Sequence, residues 1–222
     1  MSFGGWSGKK LGAACKTVPA LKGAYQKVVD AYALRAIDID IEHGEFNNKK
    51  VRKRVVEALA ALHAANPALE ISITLGTAET GPEAAGRSLI EDAAAIGFQP
   101  TDWTIMPFDF GPPATDMGHA SIRALEGLAA SLVSSYHVSQ AYAYEHSGVS
   151  SMNGHTDEAV ETVSLADFQT ILEFARRQHL ARFTFWSVNR DRQCGTSKGE
   201  DECSGIEQAP YAFTDLVASY QG

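Results

Sequence analysis

Two hydrophobic periods alternate along the chain. Apolar positions spaced three and four apart predict helices. One covers Lys16–Tyr32, with Leu21, Tyr25, Val28, Val29 and Tyr32 on a single stripe. Others cover Asn48–Asn66, punctuated by Pro67, Arg87–Ile96 with Gly97 as C-cap, Met117–Tyr136, and Ser164–Gln178, where Ser164 and Asp167 have the S-x-x-D spacing of a capping box. Short runs between them read as strands: Ala36–Glu42, Leu69–Leu75, Trp103–Phe110, a weak one within Gly148–Asn153, and Arg182–Val188. Thr77–Gly81 reads as a loop, Gly111-Pro112-Pro113 as a turn, and Gln208–Tyr220 as a final helix. This alternation predicts βαβ units and an α/β fold with a parallel sheet, either a barrel or an open doubly wound sheet. No G-x-G-x-x-G follows a strand, which weakens the dinucleotide-binding version. No linker, low-complexity run or composition shift divides residues 1–222.

One strand carries unusual chemistry. In Ala36-Ile37-Asp38-Ile39-Asp40-Ile41-Glu42 the side chains alternate between faces. Ile37, Ile39 and Ile41 share the face suited to packing under helices, and Asp38, Asp40 and Glu42 share the other. An exposed strand with a polar face is a poor account, because Asp is depleted in strands and three like charges repel. No basic residue lies within the run. Close carboxylates rarely all ionise, so one is expected to hold a proton near neutral pH, as a general acid must. A calcium or magnesium site is the alternative use of three carboxylates.

Composition narrows the function classes. The 222 residues, 45% hydrophobic and 21% charged, suffice for a full core. A net charge of −8 without a basic cluster argues against nucleic acid as a partner. The absence of an apolar run of about 18 residues argues against a membrane span. Met1–Trp6 lacks the basic and apolar regions of a signal peptide. Cys194 and Cys203 flank the polar segment Gly195–Glu202, a loop that a disulfide closes readily; two separate thiols are the alternative, and Cys15 is left over. Cys and His show no metal-ligand spacing, so no structural zinc is expected.

Asp38-Ile39-Asp40-Ile41-Glu42 resembles the D-x-D-x-E signature of glycoside hydrolase family 18, the chitinase family. Ser2-Phe3-Gly4-Gly5 is similar to the S-x-G-G that ends the family's third barrel strand. Met106-Pro107-Phe108-Asp109 resembles the M-x-Y-D of the sixth. Phe185–Asp191 is similar to the eighth-strand segment of bacterial chitinases, as are the Cys194–Cys203 loop and the tail Pro210-Tyr211-Ala212-Phe213. The resemblance runs from Ser2 to about Tyr220.

What the resemblance implies is a TIM (β/α)8 barrel with its site at the strand C-termini, in a group excepted from the two-carboxylate scheme. It implies no cofactor, and chitin or a chitooligosaccharide as partner. Glu42 is then the acid and later the base; Asp40 orients the substrate's 2-acetamido group, whose carbonyl attacks the anomeric carbon; Asp38 shares a proton with Asp40. Trp186 floors the sugar site. Met106, Phe108 and Asp109 line the wall, with Asp109 near Glu42. Gly4, Gly5 and Trp6 border the cleft, whereas Trp103 is expected to be structural. Phe108 stands where the family has tyrosine, so Tyr142 or Tyr144 is a candidate donor to the acetamido oxygen. His43 is read as the start of a loop. Five strands plus the end of a sixth leave the first two βα units unaccounted for, and an oligomer covering the open side is expected. Secretion is expected from a polymeric substrate and the disulfide. A non-catalytic sugar-binding barrel and an N-glycan endo-β-N-acetylglucosaminidase are the other readings.

Overall fold

A computed structural model describes residues 1–112, 116–195 and 201–222. Pro113 of the expected turn and positions 196–200 of the inter-cysteine segment lie outside the described residues. In chain order the elements are β1 (Ser2–Gly4), α1 (Leu11–Ala14), α2 (Val18–Tyr32), β2 (Ala36–Ile41), α3 (His43–Asn47), α4 (Lys49–Ala65), β3 (Glu70–Gly76), α5 (Ala84–Ala95), β4 (Asp102–Met106), α6 (Met117–Tyr136), α7 (Gln140–Glu145), β5 (Ser147–Met152), β6 (Gly154–His155), β7 (Thr162–Val163), α8 (Leu165–Gln178), β8 (Arg182–Trp186) and α9 (Ala212–Ala218).

Six strands form one parallel sheet in the order β1-β2-β3-β4-β5-β8, nearly the order of the sequence. β6 and β7 pair separately as a small antiparallel ladder. Sequential parallel strands with helices between them are the connectivity of a (β/α) barrel rather than a doubly wound sheet, whose strand order reverses. The expected helices appear at or near their predicted bounds. Ser164 and Asp167 do form a reciprocal capping box on α8. The weak strand resolves as β5. Pattern reading missed α1, α3, α7, β6 and β7, all too short for a periodic signal.

The sheet is curled. The β2 and β8 strands are four strand spacings apart, about 19 Å in a flat sheet. Even so, Arg182 Nη1 on β8 donates to Asp38 Oδ1 on β2 at 2.9 Å. An arginine side chain spans about a third of the flat distance, so the sheet must curl to bring β8 towards β2. The open edges are those of β1 and β8.

The apolar core lies outside the curl, between sheet and helices. Ile37, Ile39, Ile41, Ile71, Ile73, Leu75, Ile105, Val149 and Phe183 point outward and are buried against Leu21 and Tyr25 of α2, Val55, Leu59 and Leu62 of α4, Leu125 and Leu128 of α6, and Phe168 of α8. Trp103 belongs to this layer and is fully buried, the structural role expected for it. The inward row is polar or small. Gly4, Asp40, Thr74, Thr104, Gly148 and Arg182 are lateral neighbours across the whole sheet. Arg182 ends that row but meets Asp38, one inward position below Asp40. This offset is the stagger that curling a sheet requires. Among the described residues, no helix is long and apolar enough to cross a membrane.

Candidate active site

Asp38 and Asp40 of β2, and Glu42 just after it, are all partly buried, but their surroundings differ. Asp38 is enclosed by donors. Thr74 Oγ1 donates to its Oδ1 at 2.6 Å, Arg182 Nη1 to the same oxygen at 2.9 Å, and Ser2 Oγ to its Oδ2 at 2.5 Å. Among the described residues no hydrogen bond joins Asp38 to Asp40. One level up, Asp40 Oδ1 is buried without a hydrogen-bond partner. Burial, then the charges of Glu42 and Asp38, push the Asp40 carboxyl up to about 7, against the opposing pull of Lys10 and Arg182.

Glu42 follows the last residue of β2, at the C-terminal end of the strand. Its carbonyl accepts from Glu45 N and Phe46 N as α3 begins, but its side chain caps nothing. The carboxyl is therefore not spent on the helix. Burial raises its pKa first of all; Lys10 and His43 oppose this, and the negative charge of Asp109 adds to it. Desolvation is thus the main influence favouring the neutral acid, and repulsion from Asp109 a smaller one. The triad has cations after all: Lys10, only 8% exposed, comes from the loop after β1, and Arg182 from the far edge strand.

Gly4 and Gly5 let the β1 turn close on β2. Gly4 has φ +104°, and a Cβ there would stand 2.0 Å from the Asp40 carbonyl oxygen. Gly5 N donates to that oxygen at 2.9 Å, and a Cβ on Gly5 would lie 3.6 Å from Asp40 Oδ2. Small residues at both places let β1 pair alongside Asp40. Trp6 follows, 69% exposed, with its ring 3.7 Å from that of His43, which stands immediately after Glu42. His43, expected to begin a loop, instead opens the short helix α3, with φ +48°.

Met106 ends β4, and Pro107, Phe108 and Asp109 continue over the top. Asp109, at φ +56°, accepts from Asp157 N at 2.9 Å, and burial raises its carboxyl pKa. Its charge acts on Glu42, as the expected proximity requires. Sequence reading missed the residue that holds this segment. Glu161 is buried and accepts from Asp109 N at 2.7 Å and Phe110 N at 3.0 Å. It lies in a polar loop with no motif to mark it. Trp186 ends β8 and is 54% exposed, an unusual state for so large an apolar group. Asn153 braces it, donating from N to Trp186 O at 3.1 Å and accepting from Ser187 N at 2.9 Å.

Two expected donors lie elsewhere. Tyr142 and Tyr144 belong to α7, which leads into the N-terminal end of β5, opposite the acidic cluster. Tyr144 is buried edge-on to Phe174, and Tyr142 stacks on His146. The chain runs from a helix into the bottom of each strand, so a residue just before β5 lies at the wrong end. Among the described residues no group of three or more His, Cys, Asp or Glu is placed to hold a metal ion. Cys194 and Cys203 form a disulfide, and Cys15 is a free thiol.

A (β/α)-barrel sheet with partly buried carboxyls at the C-terminal end of a strand has its acids where such barrels carry their sites. A search of family models finds no match. In sequence the chain is 27% identical to a protein of Escherichia coli K12 named "Probable bifunctional chitinase/lysozyme", over 99% of this chain and 26% of that protein. It is 23% identical to Endochitinase 11 of Metarhizium anisopliae, over 86% of this chain and 39% of that protein. The chain therefore spans well under half the length of these curated relatives. In fold it matches the catalytic domain of a hyperthermophilic chitinase from Pyrococcus furiosus with TM-score 0.88 and 25% identity, covering 98% of this chain and 71% of that one. A GH18 chitinase from Pseudoalteromonas aurantia matches at TM-score 0.58 with 13% identity, over 83% of this chain and 68% of that one. On these matches the chain is a relative of the chitinases, with the fold of the catalytic domain of glycoside hydrolase family 18.

Proposed function

We propose that the chain is the catalytic core of a chitinase that cuts β-1,4 bonds between N-acetylglucosamine units with retention, using the substrate's own acetamido group. The observation that carries this reading is the pairing of a partly buried Glu42, its pKa raised, with Asp40, whose carboxyl is pushed up to about 7. Between them the two groups hold a proton near neutrality at the open end of the sheet. Glu42 donates it to the glycosidic oxygen. Asp40 receives the acetamido N–H, and its negative character grows in value as the ring that forms from the acetamido carbonyl becomes positive. No second carboxylate nucleophile is needed. Once the leaving sugar departs, Glu42 takes a proton from the incoming water.

Trp186 offers an exposed aromatic face for the sugar at the cleaved bond, and the Trp6–His43 pair borders the cleft beyond Glu42. Met106 and Phe108 form an apolar wall. Phe108 brings no hydroxyl, and Tyr142 and Tyr144 are elsewhere, so the acetamido oxygen lacks the donor seen in the family pattern. That one observation favours a second reading, a sugar-binding barrel without turnover. The disulfide fits an oxidising, extracellular setting.

The test is release of sugar from chitohexaose by the chain and by Glu42→Gln, with binding measured in parallel by calorimetry. The expected outcome is turnover that falls by about 10²–10⁴-fold in the variant, the range for loss of a general acid, with binding retained. Equal turnover in both removes Glu42 from the mechanism. Binding by both with turnover by neither makes the chain a lectin.

A further inference from the structure

The site end of the sheet carries a second charged surface, opposite in sign to the acidic strand. The chain after β1 forms α1, and the chain after Glu42 forms α3 and the start of α4, so all three stand at the C-terminal ends of their strands. They are bonded into one cap. Glu45 of α3 accepts from Gly12 N of α1, and Arg54 Nη1 of α4 donates to Gly12 O and Cys15 O at 2.8 and 2.9 Å. The two segments that build the cap, 5–16 and 43–54, hold eight lysines and arginines and one acid, in a chain whose net charge is −8. That acid, Glu45, is buried and already bonded. Lys10 and Arg52 are buried as well and Arg54 is half-buried, which leaves Lys9, Lys16, Lys49, Lys50 and Lys53 exposed. Among the described residues none of these five is in an ion pair. The expectation that the chain has no basic cluster is corrected here: Lys49–Arg54 is one, and the fold adds Lys9 and Lys16 to it.

Secondary structure does not explain these charges. Lys49, Lys50 and Lys53 lie in the first turns of α4, where the helix dipole disfavours cations, and the first turn holds no acid. Lys49 and Lys53 are also four apart, a spacing at which like charges on a helix repel. Both effects destabilise α4. A local cost without a local partner points to a partner outside the chain. The cap also includes the exposed Trp6–His43 pair, at one border of the candidate site.

Neutral chitin gains nothing from such a surface. We propose that the cap is a docking surface for the carboxylates of an anionic N-acetylglucosamine glycan, so that the substrate class extends to acidic amino-sugar polymers whose strand crosses the Trp6–His43 pair. The inference rests on the proposed function and names the charge of its substrate. A nucleic acid fits less well. Duplex DNA carries a charge about every 1.7 Å, and the chain outside the cap, with 11 cations against 26 acids, repels so dense a polyanion. A glycan with one carboxylate per sugar or two meets far less of that repulsion.

The test compares carboxymethyl-chitin with neutral glycol-chitin. A protein of net charge −8 without a docking surface repels the anionic polymer, so added salt raises its kcat/KM. The cap reverses that sign: kcat/KM on carboxymethyl-chitin is expected to fall about tenfold between about 20 and 300 mM NaCl, with glycol-chitin unaffected. The triple variant Lys49→Gln, Lys50→Gln, Lys53→Gln is expected to restore the repulsive sign, to keep the glycol-chitin rate, and to melt no lower than the parent chain, since the conflict with the dipole is gone. Native gels cast with carboxymethyl-chitin read the same contact without turnover, the parent retarded and the variant not. Salt that raises the parent's rate on carboxymethyl-chitin overturns the proposal, as does equal retardation of parent and variant. Tighter binding to a DNA duplex than to carboxymethyl-chitin at equal charge concentration overturns it too. If neither polymer is cut, the glycosidase reading fails while the gel still decides the docking surface.

Discussion

The two faces of the sheet obey opposite rules. On the outer face Ile37, Ile39, Ile41, Ile71, Ile73 and Leu75 are buried against helices and contribute the ordinary hydrophobic stabilisation. On the inner face the same strands present Asp38, Asp40, Ser72, Thr74, Asp102, Thr104 and Arg182, groups that cost free energy to bury unless each is paired. Most are paired: Asp38 by three donors and Asp102 by two hydroxyls. Asp40 is the exception, with one buried oxygen left without a partner. Stability is generated on one side of β2, and chemistry is assembled on the other, two atoms' width of backbone away.

The comparison breaks most sharply at Asp40. Asp40→Asn is expected to lower kcat/KM by about 10²–10³-fold, the usual cost of removing one preorganised electrostatic partner. The same change is expected to stabilise the fold. The Asp40 carboxyl is raised from 3.8 to about 7, so between those pH values the folded chain holds a proton that the unfolded chain does not. Stability therefore declines as pH rises through that window, and burial of the anion is most costly above it. Asparagine has no such cost. Denaturant melts should show the variant's advantage at pH 8 and its disappearance below about pH 4; an advantage that does not vary with pH would contradict the burial of Asp40.

The next effect lies on the other face, one residue away. Ile39→Ala is expected to cost about 3 kcal/mol by emptying a fully buried site, measured by urea unfolding. The folded fraction should keep its kcat/KM and its pH profile. A shifted profile would mean the two faces are not independent. The smallest effect is at the rim, where Trp186→Ala is expected to raise KM by about tenfold, or about 1.4 kcal/mol, by removing an exposed stacking face. Steady-state kinetics should show kcat nearly unchanged and thermal stability within about 0.5 kcal/mol, since so exposed a ring adds little to the core.

The sequence carried the site's location further than its wiring. The strict alternation of Ala36–Glu42 placed Asp38, Asp40 and Glu42 on one face because strand geometry leaves no other arrangement. Gly4 and Gly5 were legible only through the resemblance of Ser2–Gly5 to S-x-G-G; that they let β1 close on β2 is seen in the fold. The donor assigned to Tyr142 or Tyr144 failed because closeness in sequence to β5 does not say which end of the strand a residue occupies. Glu161 was invisible because a loop residue that binds backbone amides leaves no periodic trace.

Local chemistry thus determined from sequence alone which side chains share a face, that the other face suits packing under helices, and that the fold alternates strand and helix. What only the tertiary structure decided is the company those acids keep. Arg182 lies 144 positions from Asp38, and Lys10 belongs to a loop that no pattern connects to β2. The physical reason is the curl of the sheet. Stagger and closure are properties of all six strands together, so the contacts made across the interior are written in no single segment.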